Sequence, residues 1–90
     1  MKRYHIIVHG NVQGVGFRAY VQQKALEYSM KGWVKNKRDE SVEIDVEGPA
    51  NKMDEFLSEI EKGSPFSKVD SLDVTELYEL KIYSSFKIKY

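Results

Sequence analysis

Val12-Gln13-Gly14-Val15-Gly16-Phe17-Arg18 joins a run patterned like a strand to a run patterned like a helix. Upstream, Tyr4, Ile6 and Val8 alternate with His5, Ile7 and His9, which predicts a strand with its first set facing a core, ended by Gly10 and Asn11. Downstream, Phe17, Tyr20, Val21, Lys24, Ala25 and Tyr28 fall at helical spacing. They predict a helix from Phe17 to about Ser29 whose apolar stripe includes the stem of Lys24. The junction has the composition of an anion cradle. Gly14 and Gly16 permit φ > 0 and close backbone approach to a ligand, and a helix starting here aims free N–H groups and its positive dipole end at the loop. Arg18 adds a planar fork of donors matched to phosphate oxygens.

Beyond the first helix, Gly32 precedes a strand opened by Trp33 and Val34. Val42, Ile44 and Val46 alternate with Glu43, Asp45 and Glu47 in a third run, so the sheet is expected to have one wet face, with Lys37 to Ser41 as a charged hairpin turn. Gly48-Pro49 breaks that strand. Met53, Phe56, Leu57 and Ile60 then mark a second helix that starts acidic at Asp54 and Glu55 and stops at Lys62-Gly63. After Ser64-Pro65, a strand is expected from Val69 to Thr75, and Phe86, Ile88 and Tyr90 alternate with Lys87 and Lys89 in a last one. Strand, helix, strand, strand, helix, strand, plus a short terminal strand, is the α+β order of the ferredoxin-like α/β sandwich. That architecture, βαββαβ, puts two helices on one face of an antiparallel sheet. Its hosts include RNA binders, metal carriers, sensors and enzymes, so the fold alone selects no function.

Ninety residues fit one domain, 1–90, with a modest stability margin. No apolar run approaches the roughly 20 residues that span a bilayer, and no signal-peptide pattern opens the chain. The absence of cysteine removes disulfides, thiolate metal sites and a cysteine nucleophile together, which makes the cytoplasm the expected location. Formal net charge is +0, a poor balance for general nucleic-acid binding. The expected partner is therefore a small anion gripped locally by a monomer, without nucleic acid or membrane.

Several chemistries fail on spacing. A Cys-x5-Arg phosphatase would need cysteine where Val12 stands, no Gly-Lys-Ser/Thr follows the glycines, and no aspartate pair suits an aspartyl-phosphate enzyme. His5 and His9 on a strand lie roughly 13 Å apart, too far to share a metal ion. Taken singly, Gly14 and Gly16 also suit a plain turn, Arg18 a surface arginine and Asn36 a turn residue. Arg18, however, is a cation placed against the helix dipole, which suggests an anion between them. An asparagine amide such as that of Asn36 can both donate to and accept from one water, orienting it without titrating.

The run Val8-His9-Gly10-Asn11-Val12-Gln13-Gly14-Val15-Gly16-Phe17-Arg18 resembles the first signature of the acylphosphatase family. Gly32-Trp33-Val34-Lys35-Asn36, with Val42 and Gly48 beyond it, resembles the second. The likeness extends through the Gly-Ser-Pro after the second helix to the Phe-Lys-Ile-Lys-Tyr ending. It implies hydrolysis of a carboxylic-phosphoric mixed anhydride with no metal, cofactor or covalent intermediate. It further implies that Arg18 binds phosphoryl oxygens together with the backbone amides of Gln13, Gly14, Val15, Gly16, Phe17 and Arg18, while Asn36 positions the attacking water. Val15, Phe17, Tyr20 and Trp33 are expected to pack around the loop. The family usually has glycine where Glu40 stands, so Glu40 is expected either at φ > 0 or in a differently shaped hairpin. The rival is a non-catalytic ferredoxin-like module for a phosphate ligand or RNA, against which the acidic face of the third strand speaks.

Overall fold

The computed structural model describes all 90 residues, Met1–Tyr90. The elements run β1 (Lys2–Asn11), α1 (Phe17–Glu27), β2 (Lys31–Asn36), β3 (Val42–Gly48), α2 (Ala50–Lys62), β4 (Lys68–Leu77) and β5 (Phe86–Lys89). They form one five-stranded sheet in the order β4-β1-β3-β2-β5. Its first four strands are antiparallel neighbours, the ferredoxin-like pattern expected. The fully antiparallel sheet needs one correction, because β5 pairs parallel with β2. β4 runs opposite to β2, and the chain reverses once more before it reaches the far edge, so a strand added there must run with β2.

Strand alternation places Ile6 and Val8 of β1, Val34 of β2, and Ile44 and Val46 of β3 on one buried face. Helical spacing delivers Phe17, Val21 and Ala25 of α1 and Met53, Phe56 and Ile60 of α2 onto it. Each such large side chain contributes about 1.5–3 kcal/mol by leaving water. Tyr20 and Lys24 are half-buried at the edge of the α1 stripe, as the sequence suggested. The Tyr20 Oη donates to the Glu59 carbonyl at 2.8 Å, tying α1 to α2.

β1 ends at Asn11, as expected, after a bulge between His9 and Gly10. A Cβ at Gly10 would lie 2.1 Å from the Lys68 carbonyl oxygen, so the β4 backbone approaches too closely for any side chain. α2 begins at Ala50, directly after Pro49, which leaves Asp54 and Glu55 beyond its first turn. The outer face is not uniformly wet either. Asp45 is 4% exposed and Glu47 1%, because the connection Tyr78 to Ser85 lies across β3 like a strap.

Charges survive burial there because Arg3 and Asp45 are paired and Glu47 is hydrogen-bonded. Arg3 donates from Nε and Nη2 to the two Asp45 carboxylate oxygens at 2.9 and 2.8 Å, and from Nη1 to the Glu79 carbonyl at 3.0 Å. Tyr83 Oη donates to Asp45 at 2.9 Å. Glu47 accepts the backbone N–H groups of Lys81 and Tyr83 at 3.0 and 2.6 Å. Burial pushes the Asp45 pKa up, but the Arg3 and Tyr83 hydrogen bonds and the Arg3 charge outweigh it and hold the carboxyl below its ordinary value.

Candidate active site

The loop 12–16 is anchored at its two ends by Val12 and Phe17, each 1% exposed, so its backbone is fixed from below by the core. Between the anchors, Gly14 and Gly16 take φ of 72° and 77°, the left-handed conformation that glycine adopts without a Cβ penalty. Gly16 caps α1 without any side-chain hydrogen bond, and no acidic residue occupies the first turn. The first helical bond runs from the Tyr20 N–H to the Gly16 carbonyl at 3.1 Å. The N–H groups of Phe17, Arg18 and Ala19 therefore have no intrahelical acceptor, and the positive end of the dipole is not neutralised by a local carboxylate.

A cavity of ≈ 170 Å³ opens against this terminus, and Gly14, Gly16, Arg18 and Ala19 line it together with Asn36 and Tyr90. The structure thus brings Arg18 and Asn36 to one cavity from α1 and the end of β2. Among the expected phosphate amides, Gly14, Gly16, Phe17 and Arg18 belong to residues lining the cavity, whereas Gln13 and Val15 do not line it. Asn36 Oδ1 is buried without a hydrogen-bond partner. A buried carboxamide oxygen without a partner carries an unmet demand for a donor.

Sequence reasoning missed what holds Arg18. Its Nη1 donates to the Lys89 carbonyl at 3.1 Å and its guanidinium lies 4.7 Å from the centre of the Tyr90 ring, so β5 braces it. No local signal marks a partner 71 residues away. The Gln13 side chain was missed too, and it reaches the β2–β3 turn rather than the cavity, donating from Nε2 to the carbonyls of Lys37 and Ser41 at 2.8 Å each. Glu40 in that turn has φ 76°, so the first of the two expectations for it holds.

Val15 and Tyr20 pack against the core and Phe17 is part of it, but Trp33 is not among them. Trp33 alternates with the buried Val34 and so lies on the opposite face, where Lys89 Nζ and Lys35 Nζ sit 4.5 and 5.7 Å from its ring centre. The histidines go to separate carboxylates: His5 Nε2 to Glu43 at 2.6 Å and His9 Nε2 to Asp73 at 2.9 Å.

An uncapped helix start behind left-handed glycines, an arginine and a strand-end asparagine, gathered in a ferredoxin-like sandwich, form an arrangement able to hold a small anion. Residues 4–88 match the acylphosphatase family. The acylphosphatase of Bacillus licheniformis is 49% identical over 90 residues, covering 100% of each sequence. The crystal structure of acylphosphatase from Bacillus subtilis, 49% identical, superposes with a TM-score of 0.97 over 100% of both chains. The structure of an acylphosphatase from Coxiella burnetii, 32% identical, gives a TM-score of 0.92 over 98% of this chain and 92% of that one. The chain belongs to the acylphosphatase family.

Proposed function

We propose that residues 1–90 act as one catalytic unit that hydrolyses the carboxyl–phosphate bond of acyl phosphates, releasing a carboxylate and inorganic phosphate by direct attack of a positioned water. The acyl-phosphate hydrolase activity follows from family membership. The assignment of roles rests on a single observation, the cavity that Arg18 and Asn36 line together at the open start of α1.

In this mechanism the amides of residues 13–18 and the Arg18 guanidinium hold the non-bridging phosphoryl oxygens. The Asn36 carboxamide holds the water by hydrogen bonding and aims the water's lone pair at phosphorus. The P–O bond to the acyl group breaks as the new P–O bond forms, and the electron pair leaves on a carboxylate. That leaving group is good enough to depart without a covalent intermediate, so positioning and charge stabilisation carry the acceleration. Amides fixed in the loop backbone need no reorganisation as charge develops. The partner in this reading is the small-molecule substrate alone, taken up by a cytoplasmic monomer with no nucleic acid, membrane or cofactor. The zero net charge is the support for leaving nucleic acid out.

The test is phosphate release from a simple aryl acyl phosphate by the native protein, Arg18→Ala and Asn36→Ala. Loss of the guanidinium is expected to slow turnover by about 10³ or more, and loss of the asparagine amide by about 10² to 10³. A native protein that binds phosphate without turning over the substrate would make it a binding module instead.

A further inference from the structure

Gln13 contributes to this site in a way its backbone does not explain. Both acceptors of its amide are carbonyls of the β2–β3 turn, Lys37 and Ser41, each at 2.8 Å. The Ser41 carbonyl also takes the Lys37 N–H at 2.8 Å, so one small cluster of bonds closes the turn and ties it to the loop. No other hydrogen bond joins residues 12–16 to residues 37–41. On one side the clamp is attached next to Gly14, in the cradle. On the other it is attached next to Asn36, whose Oδ1 has no protein partner to fix it.

We infer that the Gln13 side chain is a positioning residue that sets the placement of Asn36, and with it the attacking water, relative to the bound phosphoryl group. This rests on the proposed role of Asn36. A single hydrogen bond would leave the turn free to pivot about it, whereas two bonds from one planar amide fix both distance and orientation. The turn closes on itself through the Lys37 N–H to Ser41 carbonyl bond and the Ser41 bonds to the Asp39 carboxylate, but it is exposed from Arg38 to Glu40 and left-handed at Glu40, and the Gln13 amide is what ties it to the loop. The Gln13 side chain touches no reacting atom, since both its hydrogen bonds go to the turn and Gln13 does not line the cavity.

The experiment is a double-mutant cycle between Gln13→Met, which keeps side-chain length and loses both donors, and Asn36→Ala, with kcat, KM and inhibition by inorganic phosphate measured well below each melting temperature. Gln13→Met alone is expected to lower kcat about 10- to 100-fold, the scale of an ångström-sized misplacement, while KM and phosphate inhibition move less than about threefold. In the Asn36→Ala background the same change is expected to cost less than about threefold, because the group it positions is gone. Gln13→Glu, which sets an acceptor against two carbonyls, is expected to be at least as slow and stands in should the methionine variant not fold. An unchanged kcat in a folded Gln13 variant, with Asn36→Ala slow, overturns the inference alone. Equal loss from Gln13→Met in both backgrounds overturns it as well, and Asn36→Ala at native speed overturns both it and the mechanism beneath it.

Discussion

Arg18 occupies the one turn of α1 where the helix dipole disfavours a cation. Its placement is stabilised when an anion lies between the guanidinium and the free amides, which is the physical content of the cradle. Shape as well as charge is required, so Arg18→Lys, which keeps the charge but loses the fork, is expected to slow acyl-phosphate hydrolysis by about 10³ or more, against the native rate in a phosphate-release assay. A variant within tenfold of native would show that a point charge suffices. Glu40 makes the complementary point about strain. A non-glycine residue at φ 76° is disfavoured by roughly 1–2 kcal/mol, of which glycine would return part to the unfolded chain. Glu40→Gly is therefore expected to gain about 0.5–1 kcal/mol and raise the melting temperature by about 2–8 °C, read by thermal unfolding. An unchanged or lower melting temperature would count against strain. At this scale the sequence was legible wherever the signal is local: Gly14, Gly16 and Arg18 declare their backbone or charge demands in the residue type, whereas the left-handed backbone of Glu40 was expected only from the family resemblance. The Lys89 carbonyl, the Tyr90 ring and the two turn carbonyls that receive Gln13 are contacts made by folding, and no spacing announces them.

The strap from Tyr78 to Ser85 shows where reading by element stops. Alternating Val and carboxylate along β3 correctly assigned Val42, Ile44 and Val46 to the core, and it gave no sign that Asp45 and Glu47 would be covered from the other side. The pattern records which residues share a face and not what later lies on it. The same limit explains Trp33, an aromatic that reads as core and lies on the outer face among lysines, and β5, whose direction depends on a reversal the periodicity cannot see. The buried Asp45 also gives the fold a signature in acid. Its folded pKa lies below the ordinary value of 3.8, so the stability it contributes is fully present above that value and is lost as pH falls through the depressed one. Urea unfolding followed from pH 6 down to about 2 is expected to show this loss, and Asp45→Asn to lower stability near neutrality while flattening the acid slope. A slope as steep as native in the asparagine variant would assign the acid sensitivity elsewhere. Glu47 acts on the strap backbone, so Glu47→Ala is expected to speed amide exchange at Lys81 and Tyr83 selectively.

For the molecule as a whole, the proposed chemistry requires no titrating side chain, since neither a guanidinium nor a carboxamide changes charge near neutrality. The rate is expected to stay broadly flat between ionisation of the substrate and loss of the fold, and to ignore chelators. A steep step near pH 6 to 7 would bring His5 or His9 into the mechanism, although both lie on β1 against carboxylates rather than in the cavity. Hydrolysis in oxygen-18 water is expected to put solvent label into phosphate and none into the carboxylate, which separates attack at phosphorus from attack at the carbonyl. All these outcomes depend on one arrangement, an oxyanion seated among the loop amides with Arg18 on one side and Asn36 on the other. The direct measurement is a crystal structure with orthovanadate bound. Its equatorial oxygens are expected about 2.7–3.1 Å from the loop N–H groups and the Arg18 fork, with an apical oxygen in hydrogen-bond contact with Asn36. Vanadate bound elsewhere, or an apical oxygen out of reach of Asn36, would contradict it.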